Sequence, residues 1–554
     1  MKNRKILPFI LFVLMLSTIL AGCNFNSANE PDTDTETETP GEQTETPGDS
    51  KQVLNISAGA DIPTLDSTQA HDFVAFDVLN NTTEGLYRQD QNHQPELALA
   101  EKHDVSDDGI VHTFTIRDAV WSNGEAVTAH DFEFAWKRVF ETAGPYSFIF
   151  VTANLKNAEA IMNEEAEAAD LGVKAIDDKT LEVTLEAPNP LLETLLTFAT
   201  FLPQNQKFVE EQGDQYALEA ENILANGPFK LVEWKQEQSW KLEKNPEYWD
   251  AASVKLDEVN VYVVKDPATG ANLFESNTID RVTLSTSLVD QYSGSEELQI
   301  NKQAGIVFLR FNHNHPVLSN ENVRRAVGMA IDRAGLTDVI LKDGSTPLYG
   351  VVPEGFYYSP DGKDYRELNG DINTGTIEEA QALFEQGLSE AGVEDLTVSI
   401  NIADSEEMKK TAEYLQAQLQ DNLPGFTLEL KAVPFAQRLE IEKAVDYDLS
   451  LSTWGPDYSD PMTYLDMWLK GGSANRMDYH NPDLDALVNE ARAETDKDAR
   501  FEMLLGIEKI LLEEDAAIVP LYQSGEAVLQ RSKIKGLVQH PSGADLTYKW
   551  VTIE

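Results

Sequence analysis

A strand–helix–strand rhythm in the later half of the 554-residue sequence limits the possible folds most strongly. Thr376 and Glu379 have the spacing of a capping box, which predicts the start of a helix. LTVSINIA (396–403) then predicts a strand, SEEMKKTAEYLQAQL (405–419) a helix and FTLELKAV (426–433) a second strand. Two strands joined by one crossover helix imply a parallel sheet. The later half is therefore expected to be α/β.

The earlier half shows both kinds of periodicity. Residues 110–117 and 180–187 alternate apolar and polar side chains, which predicts strands. Thr128 is a plausible N-cap, and Asp131 occupies the third position of the helix that follows. Four apolar residues fall on one face of this helix, namely Phe132, Trp136, Val139 and Phe140. Their spacing favours core packing over a binding stripe.

The charge of the chain excludes some partners. The sequence has 95 acidic and 43 basic residues, a net charge of −52. Such an excess of carboxylates argues against binding nucleic acid and against docking on an anionic membrane surface. Adaptation of the surface to high salt or high external pH explains this charge better than a specific cationic substrate does.

The amino terminus predicts export and anchoring. Basic residues precede an apolar run (6–20) of signal-peptide length, and Cys23 follows directly as the single cysteine of the chain. LAGC (20–23) resembles the bacterial lipobox, so residues 1–22 are expected to be a signal peptide and Cys23 to carry lipid. Residues 23–51 are rich in Thr, Glu, Asp and Pro, which predicts a disordered acidic tether. The expected location is the extracellular face of the cell membrane.

Motifs for catalysis do not assemble in this sequence. We find no nucleophile elbow, P-loop or dinucleotide-binding glycine motif, and the single cysteine is assigned to the anchor. His313 and His315 are spaced like metal ligands, but no partner motif accompanies them, so polar loop residues are the better interpretation. The sequence therefore predicts no catalytic residue, no metal site and no cofactor.

One local stretch has the character of a cation site. A strand-like run (449–454) ends in Gly-Pro and is followed by Asp457 between aromatic residues. A carboxylate with flanking aromatics at the end of a strand can hold a cation. Asp460 fits another role better, because it stands where it would cap the helix predicted to start near Pro461.

Several segments, in order, resemble the peptide-binding lipoproteins of ABC importers. The most specific is AEKHDVSDDGIVHTFTIRDAVWSNGEAVTAHDFEFAWKRV (100–139), which is similar to the signature of solute-binding protein family 5. Further matches are EGLYR (84–88), LGVKAIDDKTLEVTLEAP (171–188), NGPFKLVEW (226–234), NENVRRAVGMAIDR (320–333) and AAIVPLY (516–522). The likeness is to the oligopeptide- and dipeptide-binding members of Gram-positive bacteria, and it covers residues 52–554.

The resemblance implies an α/β fold of two lobes, the periplasmic-binding-protein-like clamshell of the large class. Lobe I would comprise residues 52–305 and 523–554, with an extra subdomain at about 84–225, and lobe II residues 306–522. A ligand would lie in the cleft, where His71–Phe73 would face it from lobe I.

The resemblance also implies how a peptide is held. The peptide lies extended and pairs with backbone of the cleft, so that affinity does not depend on its sequence. The acid of a Trp-x-x-Asp-Tyr motif holds the α-ammonium group; here Asp457 is that acid, with Trp454 before it and Tyr458 after it. Backbone at Thr453 and Gly455 would pair with the first peptide residues.

Recognition of the peptide carboxylate departs from the family pattern. Glu442 and Leu451 stand where one subgroup has arginines, and Phe435 stands where it has tryptophan. The ligand is then longer, or its carboxylate is bound elsewhere. Arg310 and Arg476 are the candidates, with pairing to one of the many acids as the alternative for each.

The expected protein is a monomeric receptor that captures oligopeptides and passes them to the permease and ATPase subunits of an ABC transporter. It would perform no chemistry on them. A receptor for one signalling or cell-wall peptide is the alternative, because the fold would be the same. An extracellular hydrolase is a third and weaker hypothesis.

Overall fold

The computed structural model describes residues 51–472 and 474–554. The predicted signal peptide, Cys23 and all but the last residue of the predicted tether lie outside the described residues.

The strands of the described residues are β1 (Val53–Ala58), β2 (Tyr87–Gln89), β3 (Pro95–Leu97), β4 (Ala100–Val105), β5 (Val111–Ile116), β6 (Val173–Asp177), β7 (Thr180–Thr184), β8 (Phe229–Lys235), β9 (Ser239–Lys244), β10 (Glu258–Val263), β11 (Arg281–Thr283), β12 (Leu298–Phe311), β13 (Thr346–Pro347), β14 (Leu396–Ala403), β15 (Phe426–Val433), β16 (Leu449–Trp454), β17 (Ile518–Gln530), β18 (Ile534–Lys535), β19 (Val538–Gln539), β20 (Leu546–Thr547) and β21 (Thr552–Ile553).

The helices are α1 (Phe73–Thr82), α2 (Ala129–Glu141), α3 (Ser147–Thr152), α4 (Ala158–Met162), α5 (Leu192–Leu195), α6 (Gln206–Gln212), α7 (Pro267–Glu275), α8 (Val289–Tyr292), α9 (Glu321–Met329), α10 (Arg333–Gly335), α11 (Tyr365–Asn369), α12 (Ile377–Ala391), α13 (Glu406–Asn422), α14 (Phe435–Lys443), α15 (Met462–Leu465), α16 (Pro482–Ala493) and α17 (Lys497–Lys509). The helical structure of the described residues also includes two π-helical segments, Leu336–Leu341 and Ile510–Glu514, and 3₁₀ turns at Ala168–Asp170, Ala199–Phe201, Gly213–Gln215, Ala220–Asn222 and Asp466–Trp468.

One large mixed sheet organises the described chain. Its order is β15-β14-β16-β12-β17-β11-β1-β10-β9-β8, and β13 pairs with β17 at one side. The long strands β12 and β17 are antiparallel neighbours in the middle, with register shifts between Lys302 and Ile306 and between Val307 and Phe308. The lobe boundaries predicted at 305/306 and 522/523 fall inside these two strands.

The relative direction of neighbouring strands changes from the middle of the sheet to the end that holds β15. β14 is parallel to β15 along its whole length, and β16 is parallel to β14, so the carboxyl ends of all three strands lie at one edge. The predicted crossover is confirmed: α13 joins β14 to β15. A separate four-stranded antiparallel sheet has the order β4-β5-β7-β6 and lies in the earlier half.

Three apolar clusters of buried residues support this arrangement. The largest joins the early half of the chain to segments around 458–512 and 534–551. A second lies around β14, β15 and α13 together with α9 and α12. A third, smaller cluster packs α7 against residues of β11 and β17. The predicted face of α2 is core, because Phe132, Trp136 and Val139 are fully buried.

The two predicted capping boxes are present. Thr128 and Asp131 cap α2 reciprocally, and Thr376 and Glu379 do the same for α12. Strand β7 ends at Thr184, three residues before the predicted end at 187, because the chain leaves the ladder for the Pro188 turn. Within residues 51–472 and 474–554, none of the helices combines the length and apolar character needed to span a bilayer.

Candidate functional site

The turn after β16 lies on the wall of a large cavity. Pro456 lacks a backbone N–H and follows Gly455, so the strand stops there. Thr453, Trp454 and Gly455 line a cavity of about 440 Å³ together with Phe73 at the start of α1. A Cβ at position 455 would lie 3.4 Å from Cζ of Phe73, which is van der Waals contact, so the turn and α1 face each other closely across the cavity. The structure thus brings together four of the predicted site residues.

Asp457 is a partly buried carboxylate with no counter-charge. Its backbone N–H donates to Oγ1 of Thr463 at 3.1 Å, which fixes the turn. Among the described residues, no cation or hydrogen-bond donor contacts its carboxylate. Burial, and then the negative charge of Asp466, raise the pKa of Asp457 to about 7. A cation brought to this carboxylate would lower the cost of its ionisation.

Asp460, three residues later, has the partners that the carboxylate of Asp457 lacks. Its two carboxylate oxygens each accept a 2.8 Å hydrogen bond from the guanidinium of Arg500. One of them also accepts the N–H of Met462 at 2.9 Å, at the start of α15. This agrees with its predicted role at the beginning of that helix. Asp460 is therefore satisfied within the chain, and Asp457 is left as the acid of the turn.

Tyr146, which the sequence reasoning missed, lies near both Asp457 and Asp72. Burial, and then the charges of Asp457 and Asp72, raise the pKa of Tyr146. Oδ1 of Asp72 accepts the N–H of Ala75 and caps α1, while its buried Oδ2 has no hydrogen-bond partner in the described chain. The N-cap role of Asp72 was readable from the sequence. The position of Tyr146 was not, because more than three hundred residues separate it from Asp457.

Two predicted residues do not reach the cavity wall. Tyr458 is only 4% exposed and packs in the largest apolar cluster. His71 is exposed, and its Nδ1 lies 3.1 Å from the carbonyl oxygen of Gln69. Its neighbour Phe73 lines the cavity instead.

The side of β16 that faces away from β12 is an open strand edge near the cavity. β14 pairs with β16 only opposite Leu449 and Ser450. The carbonyl oxygen of Leu451 instead accepts a 3.1 Å hydrogen bond from Nη1 of Arg438. Backbone groups two residues apart point to the same side of a strand. Thr453 and Gly455 therefore present their N–H and C=O groups to the open side.

A group of buried charges lies behind this edge. Oε1 of Glu442 accepts hydrogen bonds from Arg438 at 2.6 Å, Ser450 at 2.7 Å and Ser452 at 2.6 Å. A guanidinium nitrogen of Arg476 lies 3.7 Å from Oε2 of the same glutamate. We call Arg310, Arg438 and Arg476 around Glu442 the arginine cluster.

The predicted carboxylate candidates both belong to the arginine cluster. Arg310 is 3% exposed, and it donates to Oγ of Ser452 at 3.3 Å and to the carbonyl of Ala474 at 2.9 Å. The side chain of Arg476 is 31% exposed, so the cluster reaches solvent there. Phe435 is 55% exposed, and its ring centroid is 5.1 Å from Cζ of Arg438.

The opposite wall of the cavity is formed by β17 and the carboxyl-terminal segment. Ser524, Glu526 and residues 539–543 line it. Oγ of Ser542 lies 2.7 Å from Oγ of Ser459, which links this wall to the turn after β16. Burial and the charge of Glu526 raise the pKa of Asp545, at the same wall, to about 6.

The residues present give no support for a bound metal. In the part of the chain that the structure describes, no group of three or more His, Cys, Asp or Glu side chains could hold one. Nε2 of His313 lies 3.0 Å from the carbonyl of Ala517, and Nδ1 of His315 accepts the N–H groups of Val317 and Leu318. Both histidines thus have structural partners, His313 in the segment before β17 and His315 in its own loop.

Comparison with known proteins agrees with this geometry. A family model described as bacterial extracellular solute-binding proteins, family 5 Middle, matches residues 94–476. The chain belongs to this family. Family 5 proteins bind solutes and are not a family of catalysts.

Similar proteins extend over nearly the whole chain. The dipeptide-binding protein DppE of Bacillus subtilis is 35% identical over 553 residues, which is 99% of each chain. A structure of Listeria monocytogenes OppA bound to peptide has a TM-score of 0.79 at 41% identity, over 91% of this chain and 99% of that chain. The pheromone receptor PrgZ has a TM-score of 0.80 at 33% identity, over 91% and 100% of the two chains. The fold of this family 5 protein is therefore the two-lobed α/β clamshell of OppA-type binding proteins.

Proposed function

We propose that this family 5 protein captures peptides outside the cell and delivers them to the permease of an ABC importer. The observation that carries the proposal is the open edge at Thr453 and Gly455, which ends at the unpaired carboxylate of Asp457. An extended peptide can add to such an edge by main-chain hydrogen bonds, and its α-ammonium group can pair with the carboxylate. The names of DppE and of peptide-bound OppA agree with this ligand class.

Two measurements test peptide capture. Native mass spectrometry of the protein as purified should show bound peptides, and calorimetry should show that added peptides bind. Replacement of Asp457 by asparagine keeps the shape of the turn and removes its charge, so it should weaken binding strongly. A wild-type protein that binds no peptide in either measurement would refute the proposal.

A receptor for a single peptide is the second candidate, and the likeness to PrgZ favours it. The two candidates differ in the breadth of the ligand set, because strand pairing by itself reads no side chains. A mixture of peptides in the purified protein supports general uptake. One dominant peptide, retained after growth on different media, supports signalling.

The proposal includes a lipid anchor at Cys23 and a place at the outer face of the cell membrane. LAGC and the acidic tether support it, because a tethered receptor keeps a high local concentration beside its permease. Replacement of Cys23 by serine should release the protein from the membrane fraction into the medium. An unchanged membrane fraction would contradict the anchor.

The proposed protein acts as a monomer and leaves its ligand unchanged. The satisfied histidines and the absence of a nucleophile motif from the sequence support a binding role. Incubation with a peptide library, followed by mass spectrometry, should return every peptide intact. Cleavage that depends on the protein would contradict this part of the proposal.

A further inference from the structure

A second, smaller cavity adjoins the cavity of about 440 Å³ at the turn after β16. We call it the side cavity. Its volume is about 170 Å³, below the roughly 300 Å³ of a typical pocket for a whole small ligand. Phe73, Glu526 and Asp545 line both cavities, so the two share a wall. The side cavity therefore suits one side chain of a ligand that lies in the larger cavity.

The side cavity lies at the carboxyl ends of strands that run in the same direction. β1 is parallel to β10 and to β11, and residues 57–59 and Thr283, at the ends of β1 and β11, line the cavity. Ligands of α/β sheets bind at such carboxyl ends. Other parts of the wall are apolar and include Ile56, Val74, Val78, Trp240 and Val261. Walls of this kind suit the aliphatic stem of a long side chain.

The charged groups of the side cavity leave an excess of carboxylates. Among the described residues, the charged ones that line it are Asp77, Arg281, Glu526 and Asp545. Nη2 of Arg281 lies 3.3 Å from Oε2 of Glu526, so these two groups neutralise each other. Asp77 and Asp545 remain as two acids without a counter-charge of their own.

The two remaining acids are adjacent, and each has one oxygen without a donor. Oδ1 of Asp77 accepts the N–H groups of Asp545 at 2.6 Å and of Leu546 at 3.0 Å. Oδ1 of Asp545 accepts a hydrogen bond from Nε2 of Gln539 at 3.0 Å. No donor within residues 51–472 and 474–554 reaches the Oδ2 atom of either acid. The two Oδ2 atoms are therefore available to a ligand.

Ionising both acids is costly without a further cation. Burial, and then the charge of Asp545, raise the pKa of Asp77 well above its usual range. Burial, and then the charge of Glu526, raise the pKa of Asp545 to about 6, and Arg281 opposes both shifts only in part. A cation placed beside the two acids would lower the cost of ionising them.

We propose that the side cavity binds the side chain of a lysine or arginine of the captured peptide, through the Oδ2 atoms of Asp77 and Asp545. The inference rests on the proposed function. The aliphatic stem of the side chain lies along the apolar walls, and its cationic head reaches the two carboxylates. Strand pairing alone reads no side chains. The side cavity thus adds a preference for basic peptides over neutral peptides of the same length.

The test compares peptides that differ in a single charge. Lysine and norleucine have similar aliphatic stems, so each is placed in turn at every position of tetraalanine. Calorimetry with the wild-type protein should show one position that prefers lysine over norleucine by about 10- to 100-fold, the effect of charge-assisted hydrogen bonds. The other positions should distinguish the two by less than about threefold, because their side chains lie outside the side cavity.

Variants assign the preference to the two acids. In D545N the preference for lysine should fall by about tenfold, while the norleucine peptide should bind as it does to the wild-type protein. D77N should change the preference in the same direction. D421N is the matched control, because Asp421 is an exposed acid of α13, and it should keep the full preference. Thermal unfolding shows whether each variant folds, and the wild-type comparison stands even if D545N does not fold.

The outcomes separate the two proposals. A wild-type protein that binds tetraalanine but prefers lysine at no position overturns the role of the side cavity and leaves peptide capture standing. An equal preference for lysine at every position also overturns it, because this indicates general attraction by the net charge of −52. Folded D545N and D77N that both keep the full preference overturn it as well. A protein that binds none of these peptides and carries none as purified overturns the proposed function, and this inference with it.

Discussion

Two acids beside β16 have contrasting surroundings. Glu442 is 1% exposed and is held by Arg438, two serines and a nearby Arg476. Asp457 is partly buried, has no such partner in the described chain, and has a pKa raised to about 7. A buried charge with partners supports the fold, whereas a charge without them is kept at a cost to stability. The difference indicates that Glu442 stabilises the fold and that Asp457 is available to a ligand.

The largest effect is expected from replacing Glu442, the acid that has partners. Replacing Glu442 by alanine leaves the buried guanidinium groups of the arginine cluster without their carboxylate. The free energy of unfolding should fall by about 3–5 kcal/mol, as for other buried pairs that lose one partner. Urea denaturation measures it. Glu440→Ala, at an exposed position of the same helix, is the control. Equal losses in the two variants would show that Glu442 is not structurally special.

Replacing Asp457, the acid without a partner, should weaken peptide binding and leave the protein folded. Asp457→Ala should weaken peptide binding by about 2–5 kcal/mol, because the α-ammonium group loses its only buried partner. Calorimetry with trialanine measures the change. Asp421→Ala removes an equal charge from an exposed site and should leave affinity unchanged. Unchanged affinity in Asp457→Ala would remove Asp457 from the site.

In the protein without added peptide, the ionised Asp457 should lower the free energy of unfolding. A folded-state pKa of about 7 lies above the ordinary value of 3.8, so ionisation of Asp457 destabilises the fold as pH rises from about 4 to 7. Asp457→Asn removes this cost. The variant should be more stable than wild type by about 1–3 kcal/mol at pH 8, and by progressively less towards pH 4. A constant difference across this range would contradict the assignment.

The effect expected for each pH unit is smallest in the pH dependence of binding. Only the ionised Asp457 attracts an ammonium group, and its pKa is about 7. Below this pH the carboxyl must first lose a proton, so the Kd for trialanine should rise by up to about tenfold per pH unit. Asp457→Asn should lack this slope. Calorimetric titrations between pH 5 and 8 measure the pH dependence of the Kd in the two proteins. An equal slope in both would show that a group other than Asp457 causes the pH dependence.

Local signals in the sequence predicted a large part of the fold. The capping boxes at Thr128 and Thr376 act over a few residues, and the structure confirms both. The strands predicted at 396–403 and 426–433 also follow from local composition, and β14 and β15 have these bounds. Such features depend on neighbours in sequence, so they can be read without the tertiary structure.

The site was predicted less completely, because it depends on distant contacts. The turn at Thr453–Asp457 was found through its strand-ending Gly-Pro and its acid. Arg438 was not singled out, because its hydrogen bond to the carbonyl of Leu451 depends on how α14 packs against β16. Tyr146 was missed for the same reason. Tyr458 was predicted beside the ligand, but its direction into the core was set by packing that no local pattern records.

The early end of β14 pairing on β16 leaves the amide protons of Thr453 and Gly455 without a strand partner on that side among residues 51–472 and 474–554. A bound peptide would complete the ladder and shield these protons from water. Their rates of hydrogen–deuterium exchange should then slow with occupancy, while amides of β15 keep their rates. The unfinished edge thus supplies a built-in, residue-level reporter of loading that needs no label on the peptide.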